Sequence, residues 1–277
     1  MAGAYGSRVR VDGDGGVGIE VYVDGPEDGP PVLLMHGWPD THRLWRHQVK
    51  ALNDAGFRTI APDLRGFGAS DKPTDVEAYR VQHTVVDMVA VLDALGVDRT
   101  HLIAHDWGAA AAWGIASFLP DRIDKFVTLS VGHPVAFRTA GIEQRMRSWY
   151  MLLFQFEGIA EQWLAENPFM LTGHPDHEDV SKRLAEPGAL TASLGWYRAN
   201  AHPRSLVGDP PRLPPVTRPV LGIWSDGDPA LTERQMVTSK DQVEGSWRYE
   251  KIEGAGHWMQ LDAPDKVNAL ILDFIPG

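Results

Sequence analysis

Cysteine is absent from the 277-residue chain. Disulfides, thiol catalysis and cysteine-ligated zinc are thereby excluded. Positive charge is scarce: 26 Lys and Arg stand against 37 Asp and Glu, a formal net charge of -11, with no block of basic residues. Such a balance argues against nucleic acid as a partner. No apolar run is long enough to span a bilayer. Met1 to Val11 lack the hydrophobic core of a signal peptide. The expectation is a protein with no membrane partner in a reducing compartment, most simply the cytoplasm. Gly13 to Gly18 is Gly-rich but has neither the spacing nor the following helix of a dinucleotide loop. His174-Pro175-Asp176-His177, set among acids and Pro, reads as a solvated loop rather than a metal site. Neither metal nor cofactor is expected.

What is present can fill a real core, with 43% hydrophobic residues. The length suits one large α/β domain with an insertion, or two small domains. Val17 to Val23 alternates apolar and polar residues, the period of a half-exposed strand. Pro31 to Met35 is continuously apolar, as expected of a central parallel strand buried on both faces. A helix is expected over about Leu44 to Ala55, a strand over Phe57 to Ala61, and a helix over Val81 to Leu95. Val85, Met88, Val89, Leu92 and Leu95 form the apolar stripe of that second helix, and Gly96 stops it. Strands follow at Thr100 to Ile103 and Asp124 to Val131. Later come strands at Val220 to Trp224 and Trp247 to Ile252, and a closing helix at Val267 to Phe274. Alternating strands and helices predict a mostly parallel sheet flanked by helices.

The alternation breaks between about His133 and Pro215, which read as helices and loops. A stretch of that length is too long for a plain connection. It is expected to be an inserted helical cap, residues 135–213, on a core made of 1–134 and 214–277. Trp149, Tyr150, Phe154, Phe156, Trp163, Phe169, Trp196 and Tyr197 give it an aromatic content suited to roofing an apolar pocket. Five prolines between Asp209 and Pro219 mark a stiff return to the sheet.

The chemistry centres on Ala104-His105-Asp106-Trp107-Gly108, where a short β-capable run turns into a helix. Small residues two places either side of an acid resemble the nucleophile elbow of the α/β-hydrolases, with Asp where Ser is usual. The structural alternative is that Asp106 caps the helix that follows. His257 lies in the Gly-rich loop Gly254-Ala255-Gly256-His257-Trp258 after the last strand. The order nucleophile, acid, His is that of the α/β-hydrolases. The acid falls in Ser225-Asp226-Gly227-Asp228, where spacing favours Asp228 and leaves Asp226 as a turn former. In this architecture the oxyanion hole takes one backbone N–H from the loop after the central strand and one from the residue after the nucleophile. Here those are Trp38 and Trp107, while His36 is expected to be a buried support.

Over nearly its full length the chain resembles epoxide hydrolases of the α/β-hydrolase fold. The matching stretches are His36-Gly37-Trp38-Pro39 with Trp45-Arg46-His47-Gln48, Asp63-Leu64-Arg65-Gly66-Phe67-Gly68, His105-Asp106-Trp107-Gly108 and Gly256-His257-Trp258. Two cap tyrosines complete the family pattern: Tyr150, four residues before Phe154-Gln155, and Tyr197 within Trp196-Tyr197-Arg198. The resemblance implies that a carboxylate on Asp106 opens an epoxide while Tyr150 and Tyr197 protonate the departing oxygen. His257, paired with Asp228, would then activate water to hydrolyse the resulting ester. Trp38, Trp107 and Phe154 are expected to line the substrate site. The partners implied are a small apolar epoxide and water, in a monomer or a homodimer. The residue types fit the chemistry, because Ser at position 106 would form an ether that His could not hydrolyse. Haloalkane dehalogenation is the rival reaction. It would use the Trp107 indole as one halide donor and has only a cap tryptophan such as Trp149 for a second. A fluoroacetate-type dehalogenase would carry Arg at position 107. A non-catalytic ligand receptor on the same fold is the remaining alternative.

Overall fold

The computed structural model describes residues 6–167, 173–210 and 212–276. Phe169, counted above among the aromatics of the insertion, lies outside them. Eight strands form one sheet: β1 (Ser7–Asp12), β2 (Gly18–Asp24), β3 (Pro31–Met35), β4 (Arg58–Pro62), β5 (Thr100–His105), β6 (Ile123–Leu129), β7 (Val220–Ser225) and β8 (Trp247–Ile252). Their spatial order is β1-β2-β4-β3-β5-β6-β7-β8. Pairing is parallel from β4 to β8, whereas β2 runs antiparallel to both β1 and β4.

The central strand shows why the sheet needs two helical layers. Leu33 and Met35 join one core, with Met88, Val91 and Trp113. Val32 and Leu34 join another, with Trp45, Val49, Val267 and Ile271. Successive side chains of a strand point to opposite faces, so an unbroken apolar run must be covered on both. Helices α1 (Arg46–Asp54), α2 (Val81–Ala94) and α3 (Asp106–Phe118) supply the first half of that cover. Between β6 and β7 the described residues contain α4 (Pro134–Thr139), α5 (Ile142–Arg147), α6 (Trp149–Leu153), α7 (Ile159–Glu166), α8 (His177–Leu184) and α9 (Ala189–Asn200). The chain then adds α10 (Glu233–Val237), α11 (Met259–Asp262) and α12 (Pro264–Phe274). Among the described residues no helix is long and apolar enough to cross a membrane.

Three details depart from the sequence reading. Strand β1 has no counterpart there, because its Arg-Val alternation carries little apolar weight. It is an edge strand whose Arg8 and Arg10 pair with Glu20 of β2. Secondly, α2 buries Met88 and Leu92 of the apolar stripe, with Val85 and Leu95 packed beside them, but the buried face extends to Thr84, Asp87 and Val91. The reason is Arg65, whose Nε and Nη2 donate to Asp87 Oδ2 and Oδ1 at 2.7 and 2.6 Å. Arg65 also donates to the backbone oxygens of Ala78 and Asp14. Lastly, the aromatics of the insertion do not all face inwards: Trp149 and Phe156 are 48% and 58% exposed. Trp196 is fully buried, and its Nε1–H donates to the carbonyl of Arg65, tying α9 to the core.

Both members of the Arg65–Asp87 pair are buried. Removing one partner leaves an uncompensated buried charge, which typically costs about 3–5 kcal/mol. Asp87→Ala is therefore expected to lose that much in a urea titration. A loss below about 1 kcal/mol would show that the guanidinium finds other compensation.

Candidate active site

Strand β5 delivers Asp106 to the C-terminal edge of the sheet, where α3 begins. Asp106 adopts φ 51, a left-handed conformation uncommon outside Gly. Close approach makes the turn possible. A Cβ on Gly108 would lie 2.3 Å from the carbonyl oxygen of His36 and 2.4 Å from that of Met35. Asp106 is the first residue of α3 rather than its cap. Its Oδ1 accepts the backbone N–H of Trp38 at 2.7 Å. The Trp107 amide borders the same carboxylate: a Cβ on Gly37 would lie 2.3 Å from Asp106 Oδ1 and 2.6 Å from Trp107 N. Both amides named from the sequence thus flank Asp106, and Oδ2 is left facing His257.

His257 Nε2 lies 3.6 Å from Asp106 Oδ2, and its Nδ1–H donates to Asp228 Oδ2 at 2.8 Å. Asp228 is buried, and its Oδ1 accepts the backbone N–H groups of Ala230 and Leu231. Asp226 is exposed and instead accepts from Gly254 N. Of the two acids weighed above, the structure brings Asp228 to the imidazole. Burial by itself would lower the pKa of His257, but Asp228 and Asp106 outweigh it and raise the value to about 10. Burial likewise opposes ionisation of Asp228, yet His257 and the two amides hold its carboxyl below the ordinary range. The sign for stability follows. A raised histidine pKa stabilises the fold fully below its ordinary value of about 6.5. That contribution fades as pH climbs through about 10.

Tyr150 of α6 and Tyr197 of α9 meet above this pair, their rings 6.0 Å apart. Tyr197 packs edge-on against Trp107 and Trp38, with centroids at 5.1 and 5.9 Å. Burial and the charge of Asp106 push both phenol pKa values upwards, so both stay protonated. Phe154 is fully buried against Trp38, Tyr150 and Tyr197. His36 is a support: Nδ1–H donates to Gly37 O, Nε2 accepts from Leu64 N, and burial keeps its pKa low.

Other site residues went unread in the sequence. Asp40, directly after His36-Gly37-Trp38-Pro39, is a buried carboxylate. It accepts His174 Nε2–H and Trp258 Nε1–H, both at 3.0 Å. His174 is thus buried and paired, while Pro175 and His177 beside it are exposed, as a solvated loop would have them. The acid that holds His174 is far away in sequence, so its burial has no local signal. His105 is also buried, its pKa lowered to about 4 by burial and by His257. Among the described residues no group of three or more His, Cys, Asp or Glu could hold a metal ion.

The family model described as the alpha/beta hydrolase fold matches residues 30–264. A Bacillus subtilis AB hydrolase superfamily protein, YfhM, is 33% identical, with 94% of this chain and 95% of that protein covered. Epoxide hydrolase A of Mycobacterium tuberculosis is 31% identical, covering 95% of each. A solved structure described as novel epoxide hydrolases from metagenomes of hot environments superposes with a TM-score of 0.88. It is 29% identical and covers 98% of this chain and 99% of its own.

Asp106→Asn removes one of the two anions that face His257. The imidazolium should then lose protons more readily, and its pKa should fall clearly below the value of about 10 in the parent protein. A side-chain NMR titration reads this directly. An unmoved pKa would mean that Asp106 does not act on the imidazole.

Proposed function

The chain belongs to the α/β-hydrolase fold family and, within it, to the epoxide hydrolases, and from that premise we propose that it hydrolyses epoxides to vicinal diols through an ester on Asp106. The supporting observation is one geometry: a carboxylate held by a backbone amide, an imidazole between two carboxylates, and two protonated tyrosines above them. We take residues 135–213 as the cap that carries the tyrosines.

In the first half-reaction Asp106 Oδ2 attacks an epoxide carbon, a C–O bond forms, and the ring C–O bond breaks. The departing alkoxide takes a proton from Tyr150 or Tyr197. Their high pKa values suit them to donate without ionising beforehand. The product is a neutral ester. One of the two anions that hold His257 protonated has then gone. Its pKa falls, and its proton passes to the tyrosinate left by ring opening, which restores the phenol and frees the neutral imidazole to act as a base. In the second half-reaction neutral His257 takes a proton from water, whose oxygen adds to the ester carbonyl carbon. Asp228 orients the ring and stabilises the imidazolium. The amides of Trp38 and Trp107 hold the developing oxyanion; losing one such donor typically costs about 2.7–4 kcal/mol. Collapse of the intermediate releases the diol and restores the carboxylate.

The dehalogenase alternative needs two N–H donors on a halide. The Trp38 indole already donates to Ser193 Oγ at 3.2 Å. Trp149 is 48% exposed and packs on Trp163. That leaves the Trp107 indole without a second donor from the tryptophans considered.

A single turnover of styrene oxide in oxygen-18 water tests the covalent path. The label is expected in Asp106 and not in the first diol. Label appearing at once in the diol would sink the ester mechanism. A second test concerns the phenols. Tyr150→Phe and Tyr197→Phe should each slow ester formation by roughly 10- to 100-fold, within the usual range for a general acid. The double variant should abolish it. Undiminished ring opening by the double variant would remove the case for epoxides.

A further inference from the structure

The catalytic histidine rides on a loop with little intrinsic rigidity. Residues Gly254, Ala255 and Gly256 precede it, with Gly254 at φ 76. Yet His257 is buried, and its Nε2 must stay within reach of a water over Asp106. Something other than the loop's own side chains has to hold its backbone.

Asp226 and Asp262 take the amides of Gly254 and Gly256, and three further side chains hold the carbonyls. The carbonyl oxygen of His257 accepts two hydrogen bonds, from Ser130 Oγ at 3.0 Å and from His105 Nε2 at 3.0 Å. The carbonyl of Gly256 accepts from Ser225 Oγ at 2.6 Å. His105 is the last residue of β5, Ser225 is the last of β7, and Ser130 follows directly on β6. These strands are neighbours in the sheet, so three adjacent strand ends converge on two consecutive carbonyls. All three residues are fully buried. A carbonyl can only accept, so His105 must carry its proton on Nε2.

Ser130 adds an independent sign. It adopts φ 64, where side-chain-bearing residues are disfavoured and Gly would sit without strain. Its backbone is fixed by its N–H to Ile223 O and by its O accepting from Gln235 Nε2. A residue kept in a strained conformation invites a functional reading. Here the side chain reaches one acceptor, the carbonyl of the catalytic histidine.

We infer that Ser130 and Ser225, together with His105, clamp the backbone carbonyls of Gly256 and His257 and so position the imidazole for the ester-hydrolysis half of the reaction. The inference rests on the covalent reading above. Ring opening uses Asp106 and the tyrosines, and only the second half needs the imidazole placed against water. Loss of the clamp therefore separates the two steps. Small displacements of reacting groups can cost as much as a hundredfold in rate.

The experiment is rapid-quench mass spectrometry of Ser130→Gly, Ser225→Ala and their double variant with styrene oxide, beside His257→Gln. Ser130→Gly removes the hydroxyl while relaxing the backbone, so its thermal midpoint should not fall. Ester formation should stay within about twofold of the parent. Ester hydrolysis should slow by roughly 10- to 100-fold in the double variant, with the alkylated protein accumulating. Ser225→Thr, which keeps a hydroxyl, should restore hydrolysis relative to Ser225→Ala. Equal slowing of both steps, or no slowing of either, overturns the clamp while ester trapped on His257→Gln still upholds the covalent reading. No ester even on His257→Gln overturns that reading and the clamp's catalytic purpose with it.

Discussion

Everything in the site depends on one imidazolium held between two carboxylates in a place with little water. Asp106, His257 and Asp228 are all buried. An isolated charge there would be expensive, and alternation of sign makes the set tolerable. The same arrangement makes the site responsive. Any event that neutralises Asp106 alters the proton affinity of His257 without moving an atom. In the proposed reaction ester formation is that event, and the base becomes available when water is next required. The array is self-timing because its members share one electrostatic balance.

The scaffold meets the demands of this balance with backbone as much as with side chains. Asp106 sits at positive φ on a turn that only closes because Gly37 and Gly108 lack Cβ atoms. The amide of Trp38 reaches the carboxylate for the same reason. The buried Arg65–Asp87 pair works at a distance: it fixes the segment whose carbonyl receives the Trp196 indole, next to Tyr197. Positioning of one phenol thus begins in a salt bridge made from within the glycine-rich turn after β4.

Much of this was legible in the residues themselves. The continuous apolar run of β3, the elbow around Asp106 and the loop of His257 carry strong local signals, since each demands an unusual residue pattern at consecutive positions. The choice of Asp228 over Asp226 rested on spacing, and the geometry puts Asp228 on the imidazole. Other features were not legible, for a common reason. The Asp87 face of α2 and buried His174 both owe their state to a charged partner elsewhere in the chain. Local periodicity treats a charge as a mark of solvent exposure, and only the fold reveals its counter-charge. Ser130 and Ser225 are harder still, because a serine that holds a carbonyl looks like any other serine.

The insertion leaves the sheet after β6 and rejoins it at β7, two strands that lie side by side. Its ends therefore meet at neighbouring points of the sheet. A segment rooted this way can lengthen, shorten or be exchanged at small entropic cost to the sheet, since closure entropy grows only slowly with length. The division of labour then has an evolutionary side. In the proposed mechanism the insertion carries the proton donors, while the nucleophile, base and acid belong to the sheet. Selection can reshape which rings are admitted and opened by rewriting one contiguous stretch of coding sequence. The hydrolytic half passes on unchanged beneath it.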